Sequence, residues 1–227
     1  MGESPDLKGW SPARIVYEPF DPARHGKLAE ELEDRIAHLE AFHGMDEQCN
    51  VQATSFTAFT FLLQRGRPRV TYSSYAVQAP DGSRYMFWLT NRHAELIGRA
   101  LVPTLKTFRL EITRLEDDGF TVMAGAARDG LALEELIVPH CSGDEVSVVA
   151  ARGLARLATK LRAGTLRLWA REFDPGSLDA LADELARLGN ETLETVDVCD
   201  TSKEEPHDAV DHPALAALAA RNRGGKR

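Results

Sequence analysis

The chain has 227 residues, 43% of them hydrophobic and 27% charged, and a formal net charge of −8. A chain this long and this apolar can bury a sizeable core, which excludes an intrinsically disordered protein. The acidic balance disfavours nucleic acid and anionic membranes as general partners, so neither is expected.

Cys49, Cys141 and Cys199 are too widely spaced to build a disulfide framework or a metal knuckle, which suits a reducing compartment. The first ten residues are polar and carry Pro5 and Asp6 where a signal peptide needs an apolar run. No apolar stretch approaches the length of a membrane-spanning helix. The expected location is cytoplasmic, or nuclear if the basic residues Arg221, Arg223, Lys226 and Arg227 act as an address; frayed polar termini are the commoner reading of such a tail.

In chain order, residues 1–12 read as a loose leader and Ile15 to Tyr17 as a short strand. Asp21-Pro22 is a helix start, with an oxygen acceptor at the cap and proline at the first helical position. Leu28, Leu32, Ile36 and Leu39 follow at helical spacing, predicting an amphipathic helix over 22–42 that Gly44 ends. Val51 to Leu63 is apolar but aperiodic, with a helical end from Phe59. Val70 to Gln78 and Arg84 to Leu89 are rich in β-branched and aromatic residues and flank Pro80-Asp81-Gly82, which predicts a β-hairpin. Thr90 then caps a helix that runs to about Leu101, before Pro103.

Four later segments share one pattern. They begin at Leu105, Leu133, Ala163 and Leu193, and each has apolar residues at its first, fourth and sixth positions. The fourth positions, Phe108, Leu136, Leu166 and Val196, are 28, 30 and 30 residues apart. A period this regular dictates an architecture. Helices are predicted between and after the strands: Phe120 to Ala127, Val146 to Leu161, a third starting at Asp174-Pro175 with the stripe Leu178, Leu181, Leu185 and Leu188, and Pro213 to Ala220.

This pattern resembles the leucine-rich repeats of the ribonuclease-inhibitor type, over residues 103–223. The ninth position, which in that family holds an inward-facing Asn, Cys or Thr, falls on Thr113, Cys141, Arg171 and Thr201; Arg171 departs from it. The resemblance implies an α/β fold, a short solenoid of parallel strands with helices on one side. Residues 1–102 then form an α+β N-terminal cap and 224–227 a basic tail. The competing architecture is an ordinary parallel sheet covered on both faces, whose strands are continuous apolar runs. These strands alternate instead, with Arg109, Arg167 and Asp197 between apolar neighbours, so one face is expected to be open.

Alternation places the third, fifth and seventh residues of each unit on that face. The expected ladders are Thr107, Glu135, Thr165, Thr195; then Arg109, Ile137, Arg167, Asp197; then Glu111, Pro139, Trp169, Cys199. Arg109, Glu111, Glu135, Ile137, Arg167, Trp169 and Asp197 are the candidate partner-binding residues, because Arg and Trp combine large area with directional polar groups. Against this stands a purely structural role, with Trp169 partly covered and the arginines paired to Glu111, Glu135 and Asp197.

No catalytic residue, metal ligand or cofactor site is assigned. His207 and His212 are five residues apart, which suits neither face of one helix, and adjacent His140 and Cys141 point oppositely on a strand. Phosphate-binding glycine loops and hydrolase elbows are absent. The sequence therefore favours a scaffold that binds a protein partner through its strand face. The alternative is a compact α/β enzyme or regulatory domain with a site at the strand carboxyl ends, near Glu111, His140, Cys141, Trp169, Cys199 and Asp200. A third reading is self-association through exposed edge strands.

Overall fold

The computed structural model of the chain describes residues 18–43, 51–53, 55–72, 76–78, 84–86, 88–110, 114–115, 117–139, 145–201 and 208–225. The chain begins with α1 (Gly26–His43), β1 (Val51–Ala53), α2 (Phe56–Gln64) and β2 (Arg69–Tyr72). Short strands β3 (Ala76–Gln78), β4 (Arg84–Met86) and β5 (Trp88–Leu89) lead to α3 (Asn91–Ala100). A strand, a two-residue strand and a helix then recur: β6 (Thr107–Leu110), β7 (Arg114–Leu115), α4 (Gly119–Ala126); β8 (Glu135–Pro139), β9 (Glu145–Val146), α5 (Val148–Lys160). The series closes with β10 (Thr165–Ala170), β11 (Glu172–Phe173), α6 (Ser177–Arg187), then β12 (Thr195–Asp200), β13 (Asp208–Ala209) and α7 (Pro213–Gly224).

The main sheet has seven strands in the order β1-β2-β6-β8-β10-β12-β13. All neighbours are parallel except the last, where β13 runs antiparallel against β12. Each main strand lies beside the one before it. A right-handed crossover between such neighbours always delivers its helix to the same side. Accordingly α3 packs on α4, α4 on α5, α5 on α6 and α6 on α7, which is possible only if these helices share one face. The protein has an α/β fold, a parallel sheet with helices packed alongside.

The expected strands and helices of residues 103–223 are present, with ends shifted by a few residues, and the register is the one the spacing predicted. Thr107 pairs with Glu135, Glu135 with Thr165 and Thr165 with Thr195; Arg109, Ile137, Arg167 and Asp197 form the next ladder. Under the helices lie Phe108, Leu110, Leu136, Val138, Leu166 and Leu168, all fully buried. Each such side chain contributes roughly 1.5–3 kcal/mol of transfer free energy.

The first hundred residues depart further from expectation. The amphipathic helix starts at Gly26, because Asp21 is used in a turn: its carboxylate accepts from the Ala23 amide and its carbonyl from Arg24 and His25. The hairpin is half right. Residues 76–78 and 84–86 pair antiparallel, but β2 leaves them for the main sheet, between β1 and β6, and β5 pairs in parallel with β7. The intervening Pro80-Asp81-Gly82 turn, like the Ile15–Tyr17 strand, lies outside the described residues. The sheet and its core thus run through residue 102 without a break: Phe59 of α2 stacks against Tyr72 and Phe108, with ring centroids 5.1 and 5.9 Å away.

Two buried titratable groups lie on the helices, and one of them ties two helices together. Between α5 and α6, Glu184 accepts from Arg187 Nε at 2.7 Å and from Arg156 Nε at 2.7 Å. Those hydrogen bonds, Arg187 first, hold its carboxyl down to about 2. In α3, His93 is 3% exposed, and burial lowers its pKa to about 4 from 6.5. Between those values the unfolded chain takes up a proton that the folded chain refuses, so stability falls as pH drops through this window, and the loss from His93 levels off below it. At pH 5 the loss from His93 is about 2 kcal/mol. Thermal melts from pH 7 to 5 should therefore be flatter for His93→Met than for wild type; parallel curves would show that His93 is protonated equally in both states.

Candidate binding face

The sheet face turned away from the helices changes character from strand to strand. At the β2–β6 end it is closed: Thr71 and Thr107 are buried, and Arg69 Nη1 donates to Thr107 Oγ1 at 2.8 Å. Toward β10 and β12 it opens, with Arg167 and Thr195 exposed and Glu135, Trp169, Asp197 and Cys199 half-buried. The sequence expected one open face. At the closed end Arg69 reaches across to Thr107, a contact between strands to which alternation along one strand is blind.

Six of the seven candidate residues lie on this face. Arg167 Nε donates to Glu135 Oε1 at 2.8 Å, which is the pairing that a structural role requires. Arg109 instead reaches across β8, and its guanidinium carbon lies 5.5 Å from the centroid of the Trp169 ring. This is a cation–π pair built from strands that are not neighbours. The Trp169 indole N–H is enclosed yet has no acceptor among the described residues. Ile137, between the two arginines in the register, is 6% exposed and offers little contact area. Glu111 lies outside the described residues, as do Thr113 and Cys141.

Sequence reasoning missed Arg69 and Thr71, which join the same ladders through Arg69–Thr107 and Thr71–Arg109 pairing. The signal was present in Arg69-Val-Thr-Tyr, with apolar residues at its second and fourth positions, and was masked by reading the segment as one arm of a hairpin.

Cys199 sits beside Asp197, its thiol donating to Asp197 Oδ1 at 3.6 Å. Burial, and then the Asp197 charge, push that thiol above its ordinary range, the reverse of what a nucleophilic cysteine needs. Among the described residues no three His, Cys, Asp or Glu side chains are grouped to hold a metal ion, and no helix is long and apolar enough to cross a membrane. No family model, curated protein or solved structure matches this chain. What it does must therefore be argued from its own surface.

Beyond the strand carboxyl ends, β9 and β11 bring Glu145 close to Asp174. The hydrogen bond that a protonated Glu145 gives to the Asp174 carboxylate, then the charge on Asp174, raises the pKa of Glu145. Of the ninth-position residues, Arg171 is exposed, and the Thr201 hydroxyl is enclosed with no hydrogen-bond partner among the described residues, so Thr201 does not satisfy backbone groups as the repeat pattern implies.

Proposed function

We propose that this chain is a non-catalytic α/β binding domain, a short array of leucine-rich-repeat-like units that holds a protein partner on its helix-free sheet face. The contact centres on Arg109, Arg167 and Trp169, toward the carboxyl ends of the strands. One observation carries the reading: the Arg109–Trp169 stack beside the Arg167–Glu135 pair, on the part of the face left open. Two guanidinium groups held in place beside an aromatic ring lose little side-chain freedom on binding, which is what makes such groups effective anchors. Supporting it are the sequential strand order, the helices gathered on one face and the ladders in register.

A second reading is a compact α/β enzyme or regulatory domain with its site at the strand carboxyl ends. The observation favouring it is the close carboxyl pair Glu145 and Asp174, since open α/β sheets place ligands at that end.

Affinity capture with three proteins separates them: wild type, Arg167→Glu/Trp169→Ala and Glu145→Gln. The sheet-face reading expects a partner held by wild type and Glu145→Gln and weakened at least ~30-fold in the double variant, about 2 kcal/mol. Equal capture by all three sinks the sheet-face proposal. Loss in Glu145→Gln alone moves the site to the strand ends.

A further inference from the structure

At the opposite, amino-terminal end of the strands, three helices finish with the same backbone device. After α2, α5 and α6, one capping residue is right-handed and the next is left-handed, at Gly66 (φ 70°), Arg162 (φ 50°) and Gly189 (φ 62°). The hydrogen bonds match as well: Gly66, Arg162 and Gly189 donate to the carbonyls of Leu63, Thr159 and Ala186, and Arg67, Ala163 and Asn190 donate to those of Leu62, Ala158 and Leu185. This motif is built for glycine, because a left-handed backbone crowds any Cβ. Two of the three ends obey. Arg162 is the only non-glycine with a positive φ among the described residues.

What the arginine gains is a position. Arg162 lines a cavity of about 510 Å³, together with Glu191, Thr192, Arg221, Asn222 and Gly225. Among the described residues neither its guanidinium nor the Glu191 carboxylate makes a hydrogen bond or ion pair, and the Thr192 hydroxyl is enclosed and unpartnered. The rest of the cavity is a fixed polar frame. Buried Asn190 accepts from the amides of Thr192 and Leu193 at 3.2 and 3.0 Å. Buried Asn222 donates to the Leu193 carbonyl at 2.8 Å. Arg221 Nη2 donates to the Asn190 carbonyl at 2.9 Å and Nε to Asn222 Oδ1 at 3.3 Å, which orients its planar group and leaves Nη1 available.

We infer that this cavity binds a small phosphorylated polyol, its phosphate held by Arg162 and Arg221 and its hydroxyls by Glu191. Guanidinium forks match the geometry of phosphate oxygens. The Glu191 carboxylate rejects a bare polyanion and asks for hydrogen-bond donors beside the charge. The volume falls within the range of small-molecule sites. Strain retained at a single residue whose structural equivalents have none points to a role for that side chain.

The test uses the full chain and ribose 5-phosphate as probe, with ribose and inorganic phosphate as separate arms, read by thermal shift and calorimetry. Wild type is expected to bind ribose 5-phosphate with a Kd below about 1 mM, the affinity scale of a few directed polar contacts. It should bind at least ~10-fold tighter than to either half of the molecule, which by itself lacks one set of contacts. Arg162→Gly restores the residue found at the equivalent positions, so the free variant should melt no lower than wild type while losing at least ~10-fold in affinity. Glu191→Gln should narrow the preference for ribose 5-phosphate over phosphate. No binding by wild type, unchanged affinity in Arg162→Gly, or phosphate alone binding as well as ribose 5-phosphate would each overturn the assignment.

Discussion

Phe108→Ala is expected to destabilise the protein by about 3–5 kcal/mol, a large part of the 5–15 kcal/mol that holds a domain of this kind together. Phe108 is fully buried in β6, between Val70 of β2 and Leu136 of β8. Its ring meets Phe59, which in turn meets Tyr72, so one aromatic cluster joins α2 and β2 to the first of the regular repeats. Truncation removes both the transfer free energy of the ring and its contacts with a shell too tightly packed to collapse into the space. Because the cluster spans the junction near residue 102, the two parts should fail together. Far-UV circular dichroism and tryptophan fluorescence should report one coincident urea transition, in wild type at higher denaturant and in the variant at lower. A variant that loses fluorescence change but keeps a separate dichroism transition would mean that the regions on either side of β6 fold independently.

The legible part of this fold is the part where two periods coincide. In residues 103–223, alternation along each strand and a 28–30-residue spacing between strands fixed both which side chains share a face and which strand residues pair. The N-terminal strands belong to the same sheet yet carried no comparable signal. β1 has three residues, too few to show alternation, and α2 is buried from Phe56 through Leu63, so its apolar residues surround the helix and leave no stripe. The neighbours of β2 are strands distant in sequence, and parallel pairing through a crossover leaves no local mark comparable to a hairpin turn.

The same limits apply to the candidate face. Membership of Arg109, Glu135, Ile137, Arg167, Trp169 and Asp197 on one face follows from periodicity alone. The diagonal reach of Arg109 to Trp169 over β8 does not, because it depends on side-chain length and on what Ile137 and Pro139 leave uncovered. The cavity beside Arg162 is less legible still: an arginine two residues past a helix is unremarkable in sequence and becomes informative only beside two equivalent glycines with the same backbone.

The same change, glycine to alanine, should have opposite signs at two helical positions. Gly98 lies in α3 where α4 crosses closest, and a Cβ there would sit 2.4 Å from the Met123 carbonyl oxygen and 3.1 Å from the Ala126 Cβ. The nearest obstacle is backbone, which cannot rotate aside, so the two helices must separate. Overpacking of this kind typically costs 1–3 kcal/mol and a backbone clash lies at the upper end, against a gain of about 1 kcal/mol in helix propensity. Gly98→Ala should therefore lose about 2 kcal/mol. Gly125, exposed in α4, has nothing within 4 Å of its Cβ position, so Gly125→Ala should keep the propensity gain, up to about 1 kcal/mol. Gly153 of α5 presses on the other side of α4, its Cβ position 2.9 Å from the Phe120 Cβ and 3.0 Å from the Thr121 amide nitrogen. Helix α4 is thus clasped between two glycines, one from each neighbouring helix. If urea midpoints rise for both Gly98→Ala and Gly125→Ala, this close packing is not what spaces the helices. If they move apart, the glycines fix how near the helices approach.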